Sequence, residues 1–242
     1  MPQDISIEKL EEASRRFDQR FRTKKLVNLC ISILIVALGV VPMYLVFAVK
    51  EGIYAFRFLT VNGTLFTMAG SLIFIAVNLY ELTTGREMTL IPVYYVRLSC
   101  AVTESIIMIV VLIGLVLGDP SGLDEWDEIM THAVMPVLTV ASFLTNDSPV
   151  GKVRPLYRFC CTSFITVYGL IIITLFATKT LPMDMIPYSF LDTRVMPFPQ
   201  ISGAVILIYL IAFGISTLLY LLNRKLSWLW FRNIAKFLSP SP

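Results

Sequence analysis

Apolar residues in this chain fall in blocks of about twenty rather than in the broken spacing of a water-soluble domain. Six blocks stand out, at Leu26–Ala48, Phe58–Tyr80, Ile91–Leu117, Ile129–Thr145, Tyr157–Ala177 and Ile201–Leu222. A helix rising about 1.5 Å per residue needs about twenty residues to cross a hydrocarbon layer of ~30 Å. Lipid offers backbone groups no hydrogen-bond partner, so such runs are helical. The pattern predicts an all-α membrane protein, a six-transmembrane helix bundle. The fourth block is the weakest, being short and holding His132 and Pro136, and a re-entrant segment is the alternative there.

Between the blocks the connections are too short for a second domain. Residues 1–25 read as a basic amphipathic helix lying on the membrane, with Ile7, Leu10, Phe17 and Phe21 on one face and Arg15, Arg16, Arg20 and Arg22 around it. Residues 26–223 read as the bundle. Residues 224–242 read as a basic, aromatic tail in which Trp228, Trp230 and Phe231 beside Arg232 suit the interface. Nothing in the first residues looks like a cleaved signal peptide, because the first apolar run is long and lacks a small-residue cleavage site.

Composition agrees with the blocks. The 242 residues are 56% hydrophobic, against about 45–50% in soluble domains, and the mean hydropathy is +0.75. Lys and Arg in short loops stay on the cytoplasmic side. Lys9 to Lys25, then Arg86 and Arg97, then Lys152, Arg154 and Arg158, then Arg224 to Lys236 fall on one side of the predicted bundle. The other side has Lys50, Arg57, Lys179 and Arg194, together with the acidic group Asp119, Asp124, Glu125, Asp127 and Glu128. Both termini are therefore expected in the cytoplasm. The net charge of +3 comes from these flanks and implies no nucleic acid. Cys30, Cys100, Cys160 and Cys161 lie in or beside the blocks without zinc or disulfide spacing, so they read as packing residues and no metal is expected.

Polar residues recur on single faces of several blocks. Thr60, Thr64, Thr67, Ser71 and Asn78 share a face of the second, and His132, Thr139, Ser142 and Asn146 repeat the pattern in the fourth. The fifth offers Thr162, Thr166 and Gly169, the sixth Ser202, Tyr209, Ser216 and Tyr220. Such stripes serve close packing and interhelical hydrogen bonds, or line a cavity. Glu104 sits near the middle of the third block, where a carboxylate is most costly, and protonation, a neighbouring hydroxyl or Arg97 seven residues back would each relieve it. His132, the single histidine, suits proton transfer near neutral pH. Thr60 and His132 each lie within a turn or two of where their helix enters from the outer side. The loop before the last block adds Tyr188, Phe190 and Asp192 at that level. A threonine hydroxyl is a weak nucleophile that needs a base within reach, and His132 is the histidine that can serve.

At these residues the chain resembles the androgen-induced protein family, and most of all its bacterial branch of six-helix membrane proteins. Phe58-Leu59-Thr60 resembles the family's aromatic-Leu-Thr segment, His132 to Pro136 its His-x-x-x-Pro element, and Tyr188 to Asp192 a Tyr-Pro-Phe-x-Asp segment. The order and spacing extend over about Leu26 to Leu222. The N-terminal basic helix is extra, and Ser189 stands where Pro is usual. The resemblance implies an intramembrane hydrolase of fatty-acid esters in a bacterial cytoplasmic membrane, with Thr60 as nucleophile, His132 as base and no cofactor. Its partners are then a lipid ester substrate and membrane lipids. Asn62 or Thr64 are candidate oxyanion donors, although Asn62 points away from Thr60 on an ideal helix. Thr64 or Thr67 replaces Thr60 if the register is off by a turn, and Tyr188 and Asp192 orient the base or close the mouth. Two other classes stay open: a small transporter or lipid-binding protein with Glu104 as its protonatable group, and a structural or regulatory subunit working through its basic termini.

Overall fold

In the computed structural model the described residues are 7–86, 88, 91–116, 123–145, 155–188, 191, 192, 194 and 196–238. Among them every regular element is helical. Asp119, Asn146, Lys152, Arg154, Ser189 and Phe190 lie outside the described residues, as do the side chains of Ile7, Leu10, Arg16, Phe17, Trp230, Phe231, Arg232 and Lys236. The helices are α1 (Ile7–Leu45), α2 (Leu59–Thr84), α3 (Ile91–Val116), α4 (Trp126–Thr145), α5 (Pro155–Cys160), α6 (Ser163–Ala177) and α7 (Phe198–Leu238).

Five helices are long and apolar enough to cross a membrane, within Asp18–Lys50, Leu59–Thr84, Ile91–Ile113, Trp126–Thr145 and Phe198–Leu229. This is the set expected of an integral multi-pass membrane protein. The fourth block, the shortest in sequence, becomes a 20-residue span because the helix starts at Trp126 within the acidic connection. The fifth block is the one that falls short. Its helix breaks at the turn of Cys161 and Thr162, leaving α6 with 15 residues, or about 22 Å of rise. The fifth expected span is thus a short helix preceded by the six-residue α5. The basic N-terminal segment and the first span form one unbroken helix, α1.

Helix α3 occupies the centre, packed against α2, α4, α6 and α7, while α1 closes the other side of α2 and α4. Leu98, Ala101 and Val102 are fully buried, and Ile106, Ile107 and Phe143 nearly so. Large apolar residues such as Leu72, Leu170 and Leu210 face outward instead, which a bilayer can cover and water cannot. Close approach of α2 to α3 depends on Gly63, where an added Cβ would lie 2.6 Å from Ile107 and 3.1 Å from Thr103.

A polar clasp joins five helices at one end. Lys25 and Glu81 form a buried ion pair at 2.8 Å. Arg97 donates to Asn28 Oδ1 at 2.6 Å and lies 4.0 Å over the Phe74 ring. Asn28 and Ser142 are bonded in both directions, and Asn223 donates to the Phe143 carbonyl while Tyr94 donates to Asn223. Paired charges and satisfied amides are what a low-dielectric interior tolerates. At the opposite end Lys50 bonds Glu125 at 2.5 Å and Asp127 at 2.9 Å, tying the exit of α1 to the start of α4. Gly52, with φ of +59°, then turns the chain into the 3-10 segment Gly52–Arg57 that leads to α2.

Candidate active site

The Lys50 end brings two of the candidate side chains together. Thr60 is the second residue of α2 and His132 lies in the first third of α4, and the Thr60 hydroxyl is 3.0 Å from His132 Nε2. Both residues are half-buried. Each position has a local cause.

Around His132 the helix widens to a π-turn over Met130–Val134, with the Met135 N–H bonding the Met130 carbonyl. Pro136 explains it. Proline has no N–H and its ring crowds the carbonyl four residues earlier, which is that of His132. A wider turn relieves the clash, and π-turns of this kind recur at functional sites. The proline in the His-x-x-x-Pro element therefore shapes the turn that carries the imidazole.

Around Thr60 the device is a pair of tyrosines. Phe58 is extended (φ −91°, ψ 132°) and caps α2 without a side-chain hydrogen bond. The Tyr188 hydroxyl instead accepts from the Leu59 N–H at 3.0 Å. The Tyr168 hydroxyl, from α6, donates to the Arg57 carbonyl. The backbone on both sides of Phe58 is thus gripped from α6 and from the loop before α7. Tyr168 carried no signal in sequence, being one aromatic in an apolar block; its role exists through a contact 111 residues away.

Thr60 and His132 stand on the wall of a cavity of about 400 Å³ between α3, α6 and α7. Its wall is otherwise largely aliphatic, with Ile106, Val110, Ile165, Ile172, Val205 and Ile208 among the lining residues. Tyr168, Tyr188 and Tyr209 also contribute. A ligand that fits is apolar along most of its length and polar where it meets Thr60.

The other named residues lie elsewhere. Asn62 turns back to donate to the carbonyls of Phe56 and Phe58, both at 2.7 Å, and lines a separate groove. It is spent holding the turn and is not available as an oxyanion donor to Thr60. Thr64 and Thr67 are fully buried, and neither lines the cavity. Glu104 is also fully buried near Thr67 and is not a lining residue of the cavity. Neither of its carboxyl oxygens has a hydrogen-bond partner among the described residues, and Arg97 donates to Asn28. Asp192 is held by the Arg194 side chain and N–H, contacts that keep its carboxyl below the usual carboxylate range. All four cysteines are free thiols.

Chemically, a hydroxyl within hydrogen-bond distance of an imidazole nitrogen is the minimal unit of nucleophilic catalysis. Nε2 accepts the hydroxyl proton in the tautomer that keeps hydrogen on Nδ1. The first-turn N–H groups of Thr60 and Val61 have no acceptor inside α2, so the helix start beside the hydroxyl is suited to an oxyanion. Among the described residues no group of three or more His, Cys, Asp or Glu is arranged to hold a metal. No family model, no curated protein and no solved structure matches this chain.

Proposed function

We propose that this chain is an intramembrane hydrolase of fatty-acid esters, with Thr60 as nucleophile and His132 as general base, and that it belongs with the androgen-induced protein family. The observation that carries the reading is the 3.0 Å contact between the Thr60 hydroxyl and His132 Nε2 on the wall of an apolar cavity. The acyl chain occupies the cavity and brings its ester carbonyl to Thr60. Nε2 takes the hydroxyl proton as Oγ1 adds to the carbonyl carbon, and the oxyanion rests against the N–H groups of Thr60 and Val61. Collapse expels the alcohol, which takes the proton from His132 and leaves an acyl-threonine ester. Water, deprotonated by His132, then adds to that ester and releases the fatty acid, restoring the hydroxyl. Incubating purified protein with a panel of lipid esters tests this. Thr60→Ala and His132→Ala are each expected to lower turnover about 10³-fold or more with folding retained. Parent-like turnover by both variants removes the reading.

The same proposal includes a topology of six crossings, with α5 and α6 together making the fifth, and both termini in the cytoplasm of a bacterial cell. Supporting it, the basic clusters Lys9–Lys25 and Arg224–Lys236 alternate with the acidic connection around Glu125. Reporter fusions at the two termini are expected to give the same cytoplasmic signal. A periplasmic signal from either one refutes the arrangement.

A further inference from the structure

The cavity's shape carries a statement about substrate that rests on the hydrolase reading. Along α6 the lining runs from Ile165 to Ile173, and along α3 from Ile106 to Val111, a depth of about 8–12 Å at the helical rise. The hydrogen-bonding pair Thr60 and His132 lies at the end nearer the loop, with Tyr188. Ile106 and Ile165, both nearly buried, and Tyr209 make the deep end. One aliphatic chain fits this form: largely apolar walls with hydrogen-bonding chemistry at one end.

Gly169 lies midway down the α6 wall. It lines the cavity, and a Cβ added there would meet no atom within 4 Å. Gly203 and Gly214 on α7 also have open space around them, and neither is a lining residue. Glycine in the middle of a helix weakens it relative to alanine, and Gly169 has φ outside the left-handed region and no close neighbour to demand it. Neither a left-handed backbone nor close packing requires this glycine, and it borders the cavity.

We propose that the cavity is a single-chain acyl pocket whose depth limits the chain it takes, and that Gly169 sets the length it accepts. A side chain at 169 enters the channel between the mouth and the deep end. Long chains then lose their place while short ones still reach Thr60.

The test pairs turnover with binding. Gly169→Ala and Gly169→Leu, checked for folding by thermal melting in detergent, are compared with the parent on esters graded from short to long acyl chains. Binding of a graded series of fluorescent fatty acids is measured in a Thr60→Ala background with and without the 169 substitutions. Gly169→Leu is expected to lower turnover and binding of the longest accepted chain about tenfold relative to the shortest. Gly169→Ala gives a smaller shift in the same direction. A folded Gly169→Leu protein with the parent's length profile in both measurements overturns the proposal. The two readings fail separately. Binding whose length preference moves with residue 169, in a protein that turns over no ester, keeps the acyl pocket and removes the hydrolase. Turnover abolished by Thr60→Ala but with a length profile indifferent to residue 169 does the reverse.

Discussion

Thr60 and His132 are each fixed by backbone devices before they meet. The threonine rides on a turn whose Leu59 N–H is bonded to the Tyr188 hydroxyl and whose Arg57 carbonyl is bonded to the Tyr168 hydroxyl. Removing the first bond tests whether that grip matters. Tyr188→Phe keeps the ring and leaves a buried N–H without its acceptor, a loss of about 1–3 kcal/mol of stability. Turnover is expected to fall by about one order of magnitude, because a nucleophile displaced by a fraction of an ångström still finds its base part of the time. Thermal melting and steady-state rates check the two effects. A rate loss as deep as that of Thr60→Ala would mean that Tyr188 takes part in the chemistry itself. Sequence could place Thr60 and His132 at one depth, since each begins a helix from the same end. It could also show Asn62 turned from Thr60 by the helical period. It could not supply Tyr168 or the Arg194 contacts of Asp192, because tertiary approach and loop conformation create them.

At the scale of elements, α4 and α6 depart most from the apolar pattern. In α4 the departure is legible: Pro136 is a known helix disturber, and the π-turn at Met130–Val134 absorbs it one turn upstream. Restoring the N–H with Pro136→Ala lets this stretch close toward ordinary α-helix, which turns His132 relative to the rest of the span. The variant is expected to melt at the parent's temperature or higher, since alanine favours the helix, yet to lose about tenfold or more in turnover. Circular dichroism melting with rate measurements decides it, and an unchanged rate would show that the π-turn does not aim the imidazole. In α6 the departure is not legible. The break at Cys161 and Thr162 contains neither proline nor glycine, so local propensity gives no warning of it. The turn sits where Ser99 on α3 donates to the Cys161 carbonyl at 2.9 Å, a tertiary contact that satisfies a carbonyl freed from the helical ladder.

Across the whole molecule, polar groups divide between two ends with different tasks. The Lys25 end holds charges and amides that satisfy one another across α1, α2, α3, α4 and α7. The Lys50 end is anchored by the Lys50 pairs to Glu125 and Asp127, and beside it the Thr60–His132 contact opens on an aliphatic cavity. The charge pattern that suggested an orientation also assigned these residues to their ends, because Lys50 and its acidic partners fall in connections on the same side. Between the ends Glu104 remains a buried carboxyl whose oxygens have no partner among the described residues. The proposed activity depends on the hydroxyl beside the imidazole, and covalent labelling reads that chemistry directly. Purified protein treated with a fluorophosphonate probe and mapped by mass spectrometry is expected to carry the label on Thr60, with the label lost in His132→Ala. Label on another residue, or equal labelling of Thr60 when His132 is replaced, contradicts the account.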